Sequence, residues 1–265
     1  MTNAEITINL ISTYDLRLVA LSIAVAVVAS YTALDMAGRV TAAQGNARLP
    51  WLLGGAAAMG VGIWAMHFIA MLAFSLPVSI HYDLGVTLAS MIAAMVASGI
   101  ALYVVSRPNM GTGQLLTGGL FMGVGIGAMH YIGMAAMKLE AHLSYDLFFF
   151  LLSVFIAVAV SLVALWLAFH LRGESGSAGT VQKIVSALVM GGAIIGLHYT
   201  AMQAAHFTPN EVSASLPSAS DAEGNSWLAF AIGLMTFLVL GLALYSSLVN
   251  RRIVSEAPKE AGAMH

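Results

Sequence analysis

"MGVGIGAMHYIGM" (residues 122–134) sets a histidine, His130, inside an apolar run rich in glycine and methionine. Polar groups in such surroundings are costly and tend to be functional. The run also recurs. "MGVGIWAMHFIAM" (59–71) agrees with it at ten of thirteen positions. "MGGAIIGLHYTAM" (190–202) agrees at six, including the first Met, the His, the Tyr and the last Met. The histidines, His67, His130 and His198, are spaced by 63 and 68 residues. A second element keeps the same two intervals in reverse order: "YDLRLVALS" (14–22), "YDLGVTLAS" (82–90) and "YDLFFFLLS" (145–153). The repeated unit is therefore a helical hairpin, opened by Tyr-Asp-Leu and carrying its histidine near the end of the second helix.

The rest of the chain says where these hairpins live. Of 265 residues, 60% are hydrophobic and 8% charged, with mean hydropathy +0.90. A soluble domain carries roughly 25% charged residues. The apolar runs are continuous rather than alternating, so they span a membrane as helices, not barrel strands. The expected fold is all-α: a polytopic membrane protein of seven transmembrane helices, at about 16–38, 51–74, 84–105, 114–137, 147–170, 181–205 and 226–249. Three hairpin repeats (about 14–74, 82–137 and 145–205) and the extra seventh helix make a membrane domain over 1–250. Residues 251–265 are then a short cytoplasmic tail. A polar, acidic loop is expected over about 207–225. Parallel repeats of this kind suggest pseudo-threefold symmetry about the membrane normal.

Basic residues give the orientation. Arg39 and Arg48 follow helix one, Arg107 follows helix three, Arg172 and Lys183 follow helix five, and Arg251, Arg252 and Lys259 follow helix seven. The opposite connections hold only Lys138, so the N-terminus is expected outside and the C-terminus inside. The first 16 residues carry no Lys or Arg, so the first span reads as a retained helix rather than a signal peptide. No basic run suggests nucleic acid; membrane lipid is the expected surrounding.

Residues four apart share a helix face. Each repeat thus sets a methionine beside its histidine: Met71 by His67, Met134 by His130 and Met202 by His198. Met59, Met122 and Met190 precede the histidines by eight residues, about 12 Å deeper along the axis, as a separate layer. Gly119, Gly123 and Gly127, and Gly192 with Gly196, have the four-residue spacing of close helix packing. An inner ring of helices two, four and six would bring the three histidines together. One membrane histidine alone reads as a hydrogen-bonded packing residue; three at matching positions favour a metal site. There are no cysteines and almost no carboxylates at that depth, and imidazole with thioether favours copper, especially copper(I). Asp15, Asp83 and Asp146 stand where helices begin and read first as N-caps, or else as outer acceptors for a ligand His N–H. His81, His142 and His206 read as solvated rim residues, and Asp35 with Arg39 as an ion pair.

The tripled MHF/MHY motif with its downstream Met, over six helices, resembles the MHYT domain of bacterial membrane sensors across roughly 14–205. The resemblance implies a bacterial inner-membrane protein with a periplasmic N-terminus and copper held near the outer face. By position it points to Met66, His67 and Met71, to Met129, His130, Tyr131 and Met134, and to His198, Tyr199 and Met202. It further implies sensing of a diatomic gas (oxygen, carbon monoxide or nitric oxide) or of redox state, with cyclic di-GMP enzymes as frequent C-terminal partners. Phe68 and Leu197 depart from the motif, so no phenol is needed in the first repeat and no Met before the third histidine. With about a dozen residues after Arg252, output is expected to need a separate cytoplasmic signalling protein. A copper transporter or carrier, with the methionine layers as its path, and a membrane haem protein are the alternatives. No hydrolase triad or nucleotide loop is visible; copper oxidase activity is the one enzymatic reading left open.

Overall fold

A computed structural model of the protein describes residues 10–174, 176–209, 230–243 and 245. Six of its helices are long and apolar enough to cross a membrane: α1 (Leu16–Ala42), α2 (Arg48–Ala73), α3 (Leu84–Val105), α4 (Thr112–Ala135), α5 (Leu147–Leu171) and α6 (Gly176–Gln203). The expected seventh span is described over Phe230–Ala243, termed α7. The tail at 251–265, with Arg251, Arg252 and Lys259, and residues 210–229 lie outside the described residues.

Each hairpin is closed by a feature the sequence reading did not anticipate, a two-stranded antiparallel ribbon. β1 (Thr13–Tyr14) pairs with β2 (Phe74–Ser75), β3 (Ile80–Tyr82) with β4 (Met137–Leu139), and β5 (Ala141–Tyr145) with β6 (Ala205–Pro209). The loop expected from 207 therefore begins as strand. The register is the same in all three: Tyr14, Tyr82 and Tyr145 face Phe74, Met137 and Ala205, each seven residues after its hairpin's histidine. The next amides, of Asp15, Asp83 and Asp146, donate to the carbonyls of Ala73, Ala136 and Ala204 at 2.9, 2.8 and 2.8 Å. They thereby use carbonyls that the ends of the even helices would otherwise leave bare. The same three carboxylates accept from the amides of Arg17, Val86 and Phe149 at 2.8, 2.9 and 2.9 Å, which is the expected N-capping.

The helices do not form an inner ring of even members. Each packs chiefly on its neighbours in sequence, and α6 returns to α1, so the six close into one ring. One repeated glycine, the residue after the first motif methionine, makes a close approach in every hairpin. A Cβ on Gly60 would lie 2.5 Å from the Met95 Cα, and one on Gly123 2.6 Å from the Val158 Cα. One on Gly191 would lie 3.0 Å from the Val27 Cα. Each even helix thus meets the odd helix of the following hairpin backbone to backbone. Gly119 also packs tightly, against Leu162, but Gly127, Gly192 and Gly196 have nothing within 4 Å, so their spacing does not mark a packed seam. α7 reaches α2 with Leu240 near Gly62 and sets Ile232 in the core, and α2 is buried over most of its length.

The ring is apolar outside and small or polar inside. Ile92, Val96, Phe121, Phe148 and Phe155 are exposed, whereas Ser22, Ser90 and Ser153 are buried. That inversion suits a lipid surround. At the end opposite the ribbons, Arg39 pairs with Asp35 at 2.8 Å as expected. Arg48 donates to the Ser106 hydroxyl at 3.0 Å. Arg172 donates to the carbonyls of Val105, Arg107 and Pro108 and so caps α3. Lys183, expected in a connection, sits inside α6 and is buried. Gly45, at φ +54°, makes the left-handed turn that joins α1 to α2.

Candidate metal centre

The three motif histidines come from α2, α4 and α6 and meet inside the ring near its ribbon end. His67 is 1% exposed, His130 6% and His198 2%. The Nδ1 of His67 lies 3.2 Å from that of His130 and 3.3 Å from that of His198. One nitrogen from each ring falls within 4.8 Å of the other two. Among the described residues this is the one cluster of His, Asp or Glu that could hold a metal ion.

Why the rings point inward follows from the residue after each histidine. Phe68, Tyr131 and Tyr199 stand edge-on to their own imidazoles, with centroids 5.0, 4.9 and 5.1 Å away and interplanar angles of 89°, 86° and 84°. Each of these rings also packs on a tyrosine of a Tyr-Asp-Leu element: Phe68 on Tyr82, Tyr131 on Tyr145, and Tyr199 on Tyr14. The contact always runs to the following hairpin, and the third returns to the first. A ring is needed at this position and a hydroxyl is not, which is why Phe68 serves. Tyr131 shares a hydrogen bond of 2.7 Å with Ser153, whereas the buried Tyr199 hydroxyl has no partner among the described residues. At the rim, burial and Tyr199 push the Tyr14 phenol up to about 12, and burial and Tyr131 do the same for Tyr145. Tyr82 is raised by burial too, and donates to the Met71 carbonyl at 3.2 Å.

The methionines separate into layers. Met71, Met134 and Met202 gather with Phe74, Met137 and Phe207 in one buried cluster on the ribbon side of the histidines. Met66 and Met129 are buried on other faces of their helices, and Met129 belongs to the main core. A cleft of about 150 Å³ at the ribbon end, lined by Tyr14, Phe74, Met202 and His206 among others, reaches that methionine layer. Asp15, Asp83 and Asp146 are engaged at helix ends, and no hydrogen bond joins them to a histidine among the described residues. His81, His142 and His206 lie on exposed strand positions, outside the cluster.

The donor set fits a metal ion. Metal–imidazole bonds of about 2.0–2.1 Å in tetrahedral geometry separate the nitrogens by roughly 3.3–3.4 Å, close to the 3.2 and 3.3 Å found. Hydrogen bonding alone serves the trio poorly. The Nδ1 of His67 faces both partners with a single lone pair or a single proton, so one contact stays unsatisfied. An ion would take all three lone pairs. The Nε2 atoms are turned away, buried and without hydrogen-bond partners among the described residues. That of His67 is closed off by Gly133, on which a Cβ would lie only 2.4 Å away. Gly133 is a residue the sequence reading missed. Its signal was its place three residues after His130, where the other repeats carry Ala70 and Ala201.

The repeat described as the MHYT "Bacterial signalling protein N terminal repeat" matches residues 5–49, 60–118 and 123–180, together more than half of the chain. The matched stretches are offset by one helix from the hairpins, so they contain His67 and His130 but stop before His198. The bifunctional diguanylate cyclase/cyclic di-GMP phosphodiesterase MucR of Pseudomonas aeruginosa is 48% identical over 92% of this chain and 35% of its own length. The cyclic di-GMP phosphodiesterase NbdA of the same organism is 42% identical over 78% of this chain and 27% of its own. The signaling protein YkoW of Bacillus subtilis is 36% identical over 93% and 30%. The chain thus spans about a third of the length of these relatives. No solved structure matches. With the repeat matched three times and these relatives aligned along 78–93% of the chain, the protein belongs to the MHYT family of bacterial signalling proteins.

Proposed function

We propose that this chain is a membrane sensor module that holds a copper ion between His67, His130 and His198. One observation carries the reading: three imidazole nitrogens from three different helices converge at metal-ligand spacing in a buried site. Copper, when bound there, would supply one-electron redox chemistry and an open position for oxygen, carbon monoxide or nitric oxide. Imidazole suits several metals, and the thioethers of Met71, Met134 and Met202 beside the trio favour copper(I). Those methionines also screen the site from the ribbon end, and the aromatic rings fix the imidazole planes. Met66 and Met129 are weaker candidates, because they leave the histidine face of their helices. A trio this tight favours a single ion over haem, whose macrocycle separates its axial ligands and is far wider than the gap.

The basic residues at the opposite end support an orientation with the ribbons in the periplasm and that end in the cytoplasm. The relatives' names support an output in cyclic di-GMP synthesis or breakdown, through an attached domain or a separate cytoplasmic protein. The test is elemental analysis of protein purified in mild detergent and loaded with copper. About one copper or more per chain is expected, and its loss from the His67→Ala/His130→Ala/His198→Ala variant. Undiminished stoichiometry in that variant refutes the site.

A further inference from the structure

The methionines that open the motif, Met59, Met122 and Met190, are not used by the histidine centre. They lie eight residues before the histidines, about 12 Å along the helix axes, too far to share an ion with them. All three are buried, and all three line one small cavity inside the ring, of about 20 Å³. The facing wall is built from Ala33, Ala101 and Ala164. These alanines are themselves repeat-equivalent, each eighteen residues after the aspartate that caps its helix. The cavity therefore lies where the pseudo-threefold axis crosses the ring, and its size suits one occupant about as large as a water molecule.

A second repeated set of side chains is buried on the same helices as those alanines. Ser30, Ser98 and Ser161 stand three residues before those alanines, about 4.5 Å nearer the histidines. They are 2%, 0% and 0% exposed, and their hydroxyl oxygens have no hydrogen-bond partner among the described residues. The neighbouring repeat serines behave otherwise: Ser22, Ser90 and Ser153 donate to carbonyls three residues back at 2.7–2.8 Å. On α5, which faces lipid over most of its surface, Ser153, Ala157, Ser161, Ala164 and Leu165 are the buried stripe, so Ser161 lies on the interior face. None of the three lines the cavity itself; their unpartnered hydroxyls form a buried polar layer on its histidine side. Buried polar groups otherwise find partners.

The chemistry selects the occupant. Thioethers are soft, neutral donors that suit Cu(I) rather than hard cations. No carboxylate or imidazole lines the cavity. The cost of burying an ion climbs with the square of its charge, so a neutral donor set favours a monovalent ion. We propose that Met59, Met122 and Met190 form a second metal site, a three-thioether pocket for a soft monovalent cation such as Cu(I), distinct from the histidine centre.

The test uses Ag(I), a redox-inert stand-in for Cu(I), with the full chain in detergent. Bound silver is counted after desalting, and its shell is read by X-ray absorption. The Met59→Leu/Met122→Leu/Met190→Leu variant, near-isosteric and so expected to fold, should lose about one silver per chain. It should do so both in the wild type and in the triple His→Ala background, and the silver lost should have an all-sulfur shell. Equal silver counts with and without the leucines overturn the site. Should the triple variant fail to elute as the native species, single Met→Leu variants serve. Each is expected to weaken silver binding by about tenfold or more, and wild-type affinity in all three overturns the proposal. The two sites fail separately: silent histidine variants sink the sensor centre and leave this pocket standing, and silent methionine variants do the reverse.

Discussion

Gly133→Ala is a one-methyl test of the histidine geometry. The added Cβ would sit 2.4 Å from the Nε2 of His67 and 3.0 Å from its Cδ2. Ordinary contact needs about 3.5 Å, so the ring must retreat by about 1 Å or α4 must move. His67 is the hub of the trio, since its Nδ1 makes both short contacts. Metal–ligand distances hold only within about 0.2 Å, so such a retreat removes one of three nitrogens from reach. Copper(I) affinity, read by competition with a chromophoric chelator, should fall by about 10–100-fold or more. Stability without metal should fall by about 1–3 kcal/mol, the usual cost of overpacking. Gly127→Ala, six residues earlier on the same helix, is the control. Its Cβ meets nothing within 4 Å, so it should leave affinity alone and add about 0.5–1 kcal/mol through helix propensity. Gly133→Ala with lowered stability but wild-type affinity would mean that the helix yields and the ring does not, and the reasoning would be wrong.

Gly191→Ala and Gly192→Ala, adjacent in α6, should differ in sign: the first meets Val27 and should lower the melting point in detergent by the equivalent of about 1–3 kcal/mol, and the second faces open space and should raise it slightly. Tyr131→Phe should keep the ring against His130 and hence the metal count, while losing about 0.5–1.5 kcal/mol with the bond to Ser153; Tyr131→Ala should lower metal affinity, and an unchanged value would remove the buttressing role. Tyr14 and Tyr145 have folded pKa values pushed up to about 12 from the ordinary 10. The unfolded chain therefore releases those protons first, so their contribution is complete below pH 10 and is lost as the pH rises towards 12. A melting curve measured against pH should fall across that window, less steeply in Tyr14→Phe.

What was legible in the sequence is what the repeat wrote three times at a fixed interval. The hairpins, the convergence of His67, His130 and His198, and the caps at Asp15, Asp83 and Asp146 all follow from matching positions across copies. What was missed had no local signature, or had one that a generic rule outranked. Phe74–Ser75 and Met137–Leu139 are too short to alternate and look like the tail of an apolar helix. Their pairing is set by the opposite end of the hairpin, at Tyr14 and Tyr82. The glycines teach the same point more sharply. Spacing by four pointed to Gly119, Gly123, Gly127, Gly192 and Gly196, of which the first two pack tightly and an added Cβ on the other three meets nothing within 4 Å, while the Met-Gly pair shared by all copies marked Gly60, Gly123 and Gly191, all three in contact. In a tripled chain, position within the repeat is the stronger guide, because each copy solves the same packing problem against its neighbour.

That neighbour relation also explains why the site needs three hairpins. Each hairpin supplies one imidazole and the ring beside it, but the tyrosine that supports this ring belongs to the next hairpin, and the last, Tyr14, belongs to the first. The contacts of Gly60, Gly123 and Gly191 run in the same sense, from α2 to α3, α4 to α5 and α6 back to α1. The orientation of any one histidine is therefore fixed only when the ring is closed. On the proposed sensor reading, a change in the distance between the three nitrogens would press on the aromatic rings and on Tyr14, Tyr82 and Tyr145, which head the three odd helices that cross to the opposite end. Those helices end beside Arg39, Arg48 and Arg172, the side chains that tie that end together. On that reading, the closed circuit of supports around the histidine trio, and the odd helices that leave from it, give the site a route to the far end.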